Sequence, residues 1–325
     1  MQLDVVFLGT SGSAPTARRA PASTLVRRGG ERLLVDCGEG TQRQLLRSEV
    51  GLAELEEVFL THFHADHFLG LPGMMKTFAL RGRELPLTVY GPRGLRELFT
   101  VLRRVFGRLT YPLALVELEP GDVQERDGYR LVPFRTEHGV DAIGYALVED
   151  GRPGRFDVSA ADRLGVPSGP ARGQLQRGEP VALADGTLVT PEQVLGEPRR
   201  GRKIVLTGDT APAASVVEAA SAADLLVHEA TFLADERDRA RETLHSTAGE
   251  AALVAREAGV ALLALTHLSV RYAGAAVADE ARQLFPDTVV PRDFDLVDVP
   301  FPERGPPVLV PKGARRGRTG VGSET

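Results

Sequence analysis

A single cysteine, Cys37, stands among 325 residues, so no internal disulfide holds this chain together. Its setting, Leu33-Leu34-Val35-Asp36-Cys37-Gly38, predicts a small buried strand residue rather than a nucleophile. No apolar run approaches the roughly 20 residues that a membrane-crossing helix needs. The opening Met1-Gln2-Leu3-Asp4 does not begin a basic stretch followed by an apolar one, and the expectation is a cytoplasmic protein with no membrane attachment. Lysine is almost missing, with Lys76, Lys203 and Lys312 the whole supply, so an arginine-rich stretch is partly a habit of composition. The net charge of -5 gives no overall attraction to nucleic acid. Its distribution is uneven, because Arg152 to Lys203 holds nine basic residues against six acidic ones in an otherwise acidic chain.

What is present is histidine in a pattern. Of seven histidines, three fall in Thr61-His62-Phe63-His64-Ala65-Asp66-His67, directly after the apolar run Val58-Phe59-Leu60. That run has the length and branching of a buried strand, which delivers three imidazoles and a carboxylate to its carboxyl end. Neutral imidazole and ionised carboxylate suit a borderline-soft divalent ion such as zinc. The other histidines are His138, His228, His245 and His267.

Taken in order, Leu3 to Leu8 reads as a strand ending in the small-residue turn Gly9-Thr10-Ser11-Gly12-Ser13, which either receives a phosphate on its N–H groups or is a plain tight turn. Strands at Ser23 to Val26 and Arg32 to Val35 lead to Asp36-Cys37-Gly38-Glu39-Gly40-Thr41-Gln42, where Asp36 is placed to orient a metal-binding histidine. A helix opened by Phe68-Leu69-Gly70-Leu71-Pro72-Gly73 and reaching about Leu80, a strand over Leu87 to Tyr90, a helix from Gly94 to Phe106, and strands at Leu113 to Leu118, Leu131 to Phe134 and Gly144 to Val148 follow. From about Gly151 to Arg202 the texture changes to Gly, Pro and Arg, which predicts an inserted arm with local structure near Val181 to Val194. Regular structure resumes with Lys203 to Leu206, a helix over Ala213 to Ala222, the strand Leu225 to Val227, an alanine-rich helix capped near Ser246-Thr247, and the strand Ala261 to Leu265. Strand and helix alternate in two halves, an α/β layered domain over 1–302 with the arm at 151–202; the Pro-, Gly- and Arg-rich residues 303–325 read as a disordered tail.

His138, Asp209 and His267 each stand just past a predicted strand, and in a layered α/β domain such ends converge on one edge. With the early cluster they make seven candidate ligands: His62, His64, Asp66, His67, His138, Asp209 and His267. One zinc with an open position needs about three protein ligands. Seven suit two ions bridged by a carboxylate and a water.

Phe7-Leu8-Gly9-Thr10, Asp36-Cys37-Gly38-Glu39-Gly40-Thr41-Gln42, the His-x-His-x-Asp-His cluster, Gly208-Asp209-Thr210, His228-Glu229-Ala230-Thr231, His245-Ser246-Thr247 and His267-Leu268-Ser269-Val270-Arg271-Tyr272 form a set. On these motifs the chain resembles the tRNA 3′ endonucleases of the ribonuclease Z family, within the metallo-β-lactamase superfamily, from about Leu3 to Phe301. The resemblance implies a four-layer αββα sandwich and two zinc ions per subunit, with manganese as a substitute. His62, His64 and His138 would hold one ion, Asp66, His67 and His267 the other, and Asp209 would bridge them. It further implies a homodimer and a precursor tRNA gripped by the arm, with Gly169-Pro170 matching the family's Gly-Pro element. Ala65 stands where glycine is frequent, and Arg18-Arg19-Ala20-Pro21 replaces the usual Arg-Asn ending of the first loop. On the two-metal template Asp66 orients the attacking water and takes its proton, and His245, kept protonated by Glu229, protonates the leaving 3′ oxygen. Arg18 and Arg271 are candidates for phosphate contacts. His228 is given no role. Two rivals stand beside this reading: a hydrolase of a small phosphodiester, lactone or thioester on the same fold, and a non-catalytic RNA-binding module, which would be expected to lack some of the ligands.

Overall fold

Along the strand Leu3–Gly9, Leu3, Val5 and Phe7 face one way and Val6 and Leu8 the other, and all five are buried. Side chains alternate across a strand, so a segment apolar on both faces must lie between two layers. The same division recurs in both halves: Val58 and Leu60 oppose Phe59, and Val205 opposes Ile204 and Leu206. The computed structural model, which describes residues 1–52 and 54–314, satisfies this with two sheets face to face and helices on each outer side.

The first sheet has eight strands, running from Val308–Val310 at one edge through Leu296–Asp298, Leu3–Gly9, Ser23–Arg28, Glu31–Val35, Glu57–Phe59 and Leu87–Gly91 to Leu113–Glu117. The second has seven, from Thr288–Val289 through Leu262–Thr266, Leu225–Glu229, Lys203–Leu206, Ile143–Glu149 and Tyr129–Arg135 to Gln124–Arg126. Between the sheets Phe59 stacks on Tyr90 at 4.5 Å and meets the edge of Tyr145 at 5.3 Å. The Tyr145 hydroxyl donates to the Leu60 carbonyl at 2.6 Å, and the Ile143 N–H to the Thr61 carbonyl at 2.9 Å, so the second sheet holds the segment that enters the histidine cluster. Helices Gly70–Leu80 and Leu95–Phe106 cover the first sheet; Ala214–Ala220 and Ala248–Ala258 cover the second. Thr247 caps the last of these, accepting from the Glu250 N–H while the Glu250 carboxylate accepts from the Thr247 N–H.

The inserted arm has a core of its own. Helices Val158–Arg163 and Pro170–Gln176 and the ribbon of Val181–Ala182 with Leu188–Val189 enclose Ala161, Val166, Leu175, Val181, Val189 and Val194. Order extends through the arm rather than stopping near Val181 to Val194, because these scattered apolar residues meet only once the two helices pack. The arm leaves the body at Arg152 and returns at Arg199, which pair backbone to backbone. Arg202 already lies in the body and is 2% exposed.

The expectation of a disordered 303–325 is corrected for its first part. Pro302–Arg304 makes a turn, and Val308–Val310 adds an edge strand to Leu296–Asp298. Three apolar residues after a double proline satisfy the open edge's backbone groups while Leu309 packs on the inter-sheet core. Residues 315–325, including Arg315, Arg316 and Arg318, lie outside the described residues. Asp66 and His67, delivered past the carboxyl end of Glu57–Phe59, sit on the single helical turn Ala65–Phe68.

At the closed end of the sandwich, Glu149 accepts from Arg202 Nε and Nη2 at 2.7 and 2.8 Å and from Arg28 Nε at 3.0 Å, all three side chains being buried. Removing the Glu149 carboxylate takes away the anionic partner of Arg202 and leaves Arg28, among the described residues, only Glu31 as an anionic partner, at 3.2 Å. Glu149→Ala is expected to cost about 3–5 kcal/mol of folding stability, read from urea unfolding; a loss under about 1 kcal/mol would show that water reaches these groups.

Candidate active site

Five strands end at one edge and each supplies a group. Glu57–Phe59 leads to His62 and His64, Tyr129–Arg135 to His138, Lys203–Leu206 to Asp209 and Leu262–Thr266 to His267, while Leu225–Glu229 ends in Glu229. The approach of Asp209 demands glycine before it: Gly208 has φ of +64°, and a Cβ there would lie 2.7 Å from Thr61. Asp36 and His267 also have left-handed backbones, with φ of 59° and 56°. Such conformations cost on the order of 1–3 kcal/mol each and cluster at functional sites.

The seven predicted ligands meet. His62, His64, His138 and Asp209 form one group, and Asp66, His67 and His267 another, each with its ligand atoms within 4.8 Å of one another. His64 Nδ1 lies 3.2 Å from His138 Nε2, and His67 Nε2 lies 3.3 Å from His267 Nε2. Asp209 joins the groups, with Oδ1 3.4 Å from both His67 Nε2 and His267 Nε2 and Oδ2 3.8 Å from His62 Nε2.

The outer hydrogen bonds say what these atoms are for. His67 Nδ1 donates to Asp36 Oδ2 at 2.8 Å and His138 Nδ1 to the Leu244 carbonyl at 3.1 Å. Thr61 Oγ1 gives its proton to Asp36 and so accepts from His62 Nδ1 at 3.0 Å; Thr231 Oγ1 gives its proton to Glu229 and accepts from His267 Nδ1 at 2.9 Å. With Nδ1 held outward in each, it is the four Nε2 atoms that face one another at the centre. His62 Nε2 and Asp209 Oδ1 are buried without a hydrogen-bond partner among the described residues. Imidazole nitrogens crowded together and an orphaned buried carboxylate oxygen are unfavourable alone and become favourable around divalent cations. The donor set therefore fits metal.

The charges agree. Burial, with His67 nearby, pushes His62 well below its ordinary pKa, and burial also lowers His64, which keeps both in the neutral form that binds metal. Burial opposes ionisation of Asp209, but the His267 and His67 imidazoles outweigh it and hold the carboxyl well below its usual range; Asp66 is lowered in the same way by its hydrogen bond with His267. His67 is the exception. Despite complete burial, Asp209 and Asp36 raise it well above an ordinary histidine, so a cation entering the site displaces its proton.

At the rim, His245 Nδ1 lies 2.7 Å from Glu229 Oε1. Burial disfavours its charge, but the Glu229 carboxylate more than compensates and pushes the imidazole up to about 9. Asp209, His245 and His267 also approach one another, yet His245 Nδ1 is already committed to Glu229. Glu229 is itself fixed by the N–H groups of Thr210 at 2.9 Å and Thr231 at 3.1 Å. His228 faces away, its Nδ1 on the Glu229 carbonyl at 2.8 Å.

The expected substrate contacts are dispersed. Arg18 is exposed on the first loop; Arg271 Nη1 pairs with Glu236 at 2.7 Å; Gly169, with φ of +101°, and Pro170 open an exposed arm helix. Of the nine basic residues from Arg152 to Lys203, six are in ion pairs: Arg152 and Arg199 with Glu303, Arg172 with Asp162, Arg177 with Glu179, Arg200 with Asp224 and Arg202 with Glu149. Much of that segment's positive charge is thus spent within the molecule. Sequence reasoning gave no role to Thr231, although it stood in view beside Glu229, or to Asp293. The latter accepts from Thr10 Oγ1 at 2.8 Å, the Ala20 N–H at 2.7 Å and Gln44 at 2.9 Å and so fastens the first loop. Ser13 N–H of that loop donates to Asp66 Oδ2 at 2.8 Å.

Comparison with known proteins bears on this arrangement. A family model for the metallo-beta-lactamase superfamily matches residues 17–267. Ribonuclease Z of Methanosarcina acetivorans is 46% identical over 303 residues, covering 92% of this chain and 99% of its own. Ribonuclease Z of Halobacterium salinarum is 49% identical over 307 residues, with 93% and 99% covered. Among solved structures, the short form of human tRNase Z superposes with a TM-score of 0.66 at 26% identity, covering 91% of this chain and 99% of that one.

Asp36→Asn keeps a residue that tolerates a left-handed backbone but weakens the hold on His67 Nδ1. It is expected to lower metal affinity by about 10- to 100-fold in competition with a chromogenic chelator while the fold persists. Unchanged affinity would mean that the His67 ring is oriented by packing alone.

Proposed function

Since the chain belongs to the ribonuclease Z family of the metallo-beta-lactamase superfamily, we propose that it is a metal-dependent endoribonuclease that removes the 3′ trailer of precursor tRNA, leaving a 3′ hydroxyl on the tRNA and a 5′ phosphate on the trailer. The observation that carries the reading is the meeting of seven ligand side chains at one strand edge with the His245–Glu229 pair at their rim. The donor set suits two zinc ions, or manganese in their place, with His62, His64 and His138 on one, Asp66, His67 and His267 on the other, and Asp209 shared. When bound, the ions polarise the scissile phosphate and lower the pKa of a water molecule.

The remaining steps belong to the protein. Asp66, held by the Ser13 N–H, is positioned to orient the attacking water and receive its proton at the carboxylate. As the water oxygen bonds to phosphorus, the bond from phosphorus to the 3′ oxygen breaks. His245, with Nδ1–H on Glu229, has Nε2–H to give to the departing oxygen. Small-substrate hydrolysis, the rival on this fold, makes no use of an ordered arm.

We assign the arm to tRNA capture and the protein to a homodimer. The arm emerges after Glu149 and re-enters before Lys203, whereas the antiparallel pairing of Ile143–Glu149 with Lys203–Leu206 places Asp209 at the other end of the same strands. An arm rooted opposite its own site is better placed to serve a partner's. No helix among the described residues is long and apolar enough to cross a membrane. The proposed compartment is the cytoplasm.

Incubation with a 3′-extended tRNA, with and without chelator, is expected to give one cut between tRNA and trailer that chelator abolishes and zinc restores; cleavage of bis-p-nitrophenyl phosphate with no preference for the RNA would overturn the assignment. His245→Ala is expected to slow single-turnover cleavage at saturating metal by about 10²- to 10⁴-fold, and full activity there would remove it as the acid. Deleting Gly154 to Gly196 is expected to raise the precursor Kd by about 10²-fold and to reduce the salt slope by only about 2, since few arm arginines are free. Hydrolysis of bis-p-nitrophenyl phosphate should survive the deletion, and retained tRNA affinity would refute the arm's role.

A further inference from the structure

The arm joins the body through a two-stranded stem. Arg152 and Arg199 exchange backbone hydrogen bonds at 2.7 and 2.9 Å, the Gly196 N–H donates to the Arg155 carbonyl at 3.0 Å, and the Asp157 N–H donates to the Val194 carbonyl at 2.7 Å. Between these bonds the two passes nearly touch: a Cβ on Gly154 would lie 1.8 Å from the Gly196 carbonyl oxygen. Both passes continue into the second sheet, through Ile143–Glu149 on one side and Lys203–Leu206 on the other. Two strands alone make a poor rigid support, because nothing in such a ribbon resists bending across its face.

A third segment braces it. The chain leaving Leu296–Asp298, a strand of the first sheet, lays Phe301 and Glu303 against the stem. Glu303 accepts from both ends of the Arg152 guanidinium, Nη1 and Nη2 each at 2.9 Å, and from Arg199 Nη1 at 3.1 Å, so one carboxylate ties the outgoing pass to the returning one. Arg152 stacks over Phe301 at 3.5 Å, and Arg202 lies over the same ring at 4.1 Å while donating to the Val299 carbonyl at 3.0 Å. The fork geometry of arginine on carboxylate fixes direction as well as distance. Arg152 holds the Glu303 carboxyl down to about 2, so the clamp stays charged throughout the range in which the protein works.

We propose that Glu303, with Phe301 beneath it, is a positioning residue for substrate capture: it fixes the angle at which the arm leaves the body and thereby aligns bound tRNA with the metal site. The proposal rests on the reading of the arm as a tRNA-binding element. Glu303 touches neither the metal ligands nor His245, and its effect is on precursor KM and not on the chemical step.

The test uses the full-length, metal-loaded protein. Glu303→Gln and Glu303→Ala are expected to raise precursor-tRNA KM by about three- to tenfold, a shift that about 1 kcal/mol produces, and to leave kcat for bis-p-nitrophenyl phosphate unchanged. Amide exchange at residues 152–156 and 195–199 should quicken in the same variants. The charge-exchanged pair Arg152→Glu with Glu303→Arg should recover part of both effects, which general damage to the fold would not allow. Unaltered exchange in the stem overturns the clamp. Faster exchange with unchanged KM, in a protein whose arm deletion does raise KM, overturns its part in capture. An arm deletion that leaves precursor KM unchanged counts against the arm itself and removes the clamp's function with it, while stem exchange still reports whether the clamp exists.

Discussion

Four imidazole Nε2 atoms and a buried carboxylate oxygen face one another in one small space, and the surrounding structure holds them there. Left alone, such groups would turn to water or to each other's donors. They do not, because each Nδ1 is tied outward by Asp36, Thr61, Thr231 or the Leu244 carbonyl, and because Asp36 and His267 accept left-handed backbones to reach their places. The strain and the desolvation are both offset when cations enter. Thr61 and Thr231 link two groups each: the hydroxyl donates a hydrogen bond to a carboxylate and accepts one from a histidine.

The scaffold explains why the site is where it is. Two sheets whose faces are fully used for packing can present chemistry only at their edges, and at one edge the parallel strands all run out together. The other edge carries the buried Arg202–Glu149–Arg28 cluster and the root of the arm. The metal-ligand candidates and the root of the arm thus lie at opposite ends of the same strands. The arm's arginines fit this division. Those at its stem, Arg152 and Arg199, are committed to Glu303, while Gly169 and Pro170 are exposed at the start of an arm helix.

Some elements escaped sequence reasoning for identifiable reasons. Arg237–Thr243 is helical with only Ala240 buried, so it carries no apolar periodicity to detect. Gly274–Arg282 buries Val277, Ala278 and Ala281, a face built mostly of alanine and too weak to stand out. Leu296–Asp298 and Val308–Val310 are three residues each, and they become strands only because Leu3–Gly9 offers an edge to extend. In the basic segment from Arg152 to Lys203, a count of charges cannot distinguish a free arginine from one already held by Glu303 or Glu149.

By itself the sequence determined the kinds of groups available and their local setting. The apolar runs specified strands, their ends specified where His62, His138, Asp209 and His267 would emerge, and the histidine and carboxylate content specified a divalent metal as the natural ligand. These follow from short-range rules of period, turn and donor chemistry, which act between neighbours in the chain. Only the tertiary structure decided which nitrogen of each histidine faces the centre, that His245 has Glu229 as its partner at 2.7 Å, and that Glu303 spans both passes of the arm's stem. Those relations join residues up to two hundred positions apart, and their geometry depends on how two sheets settle against each other, which no local pattern records.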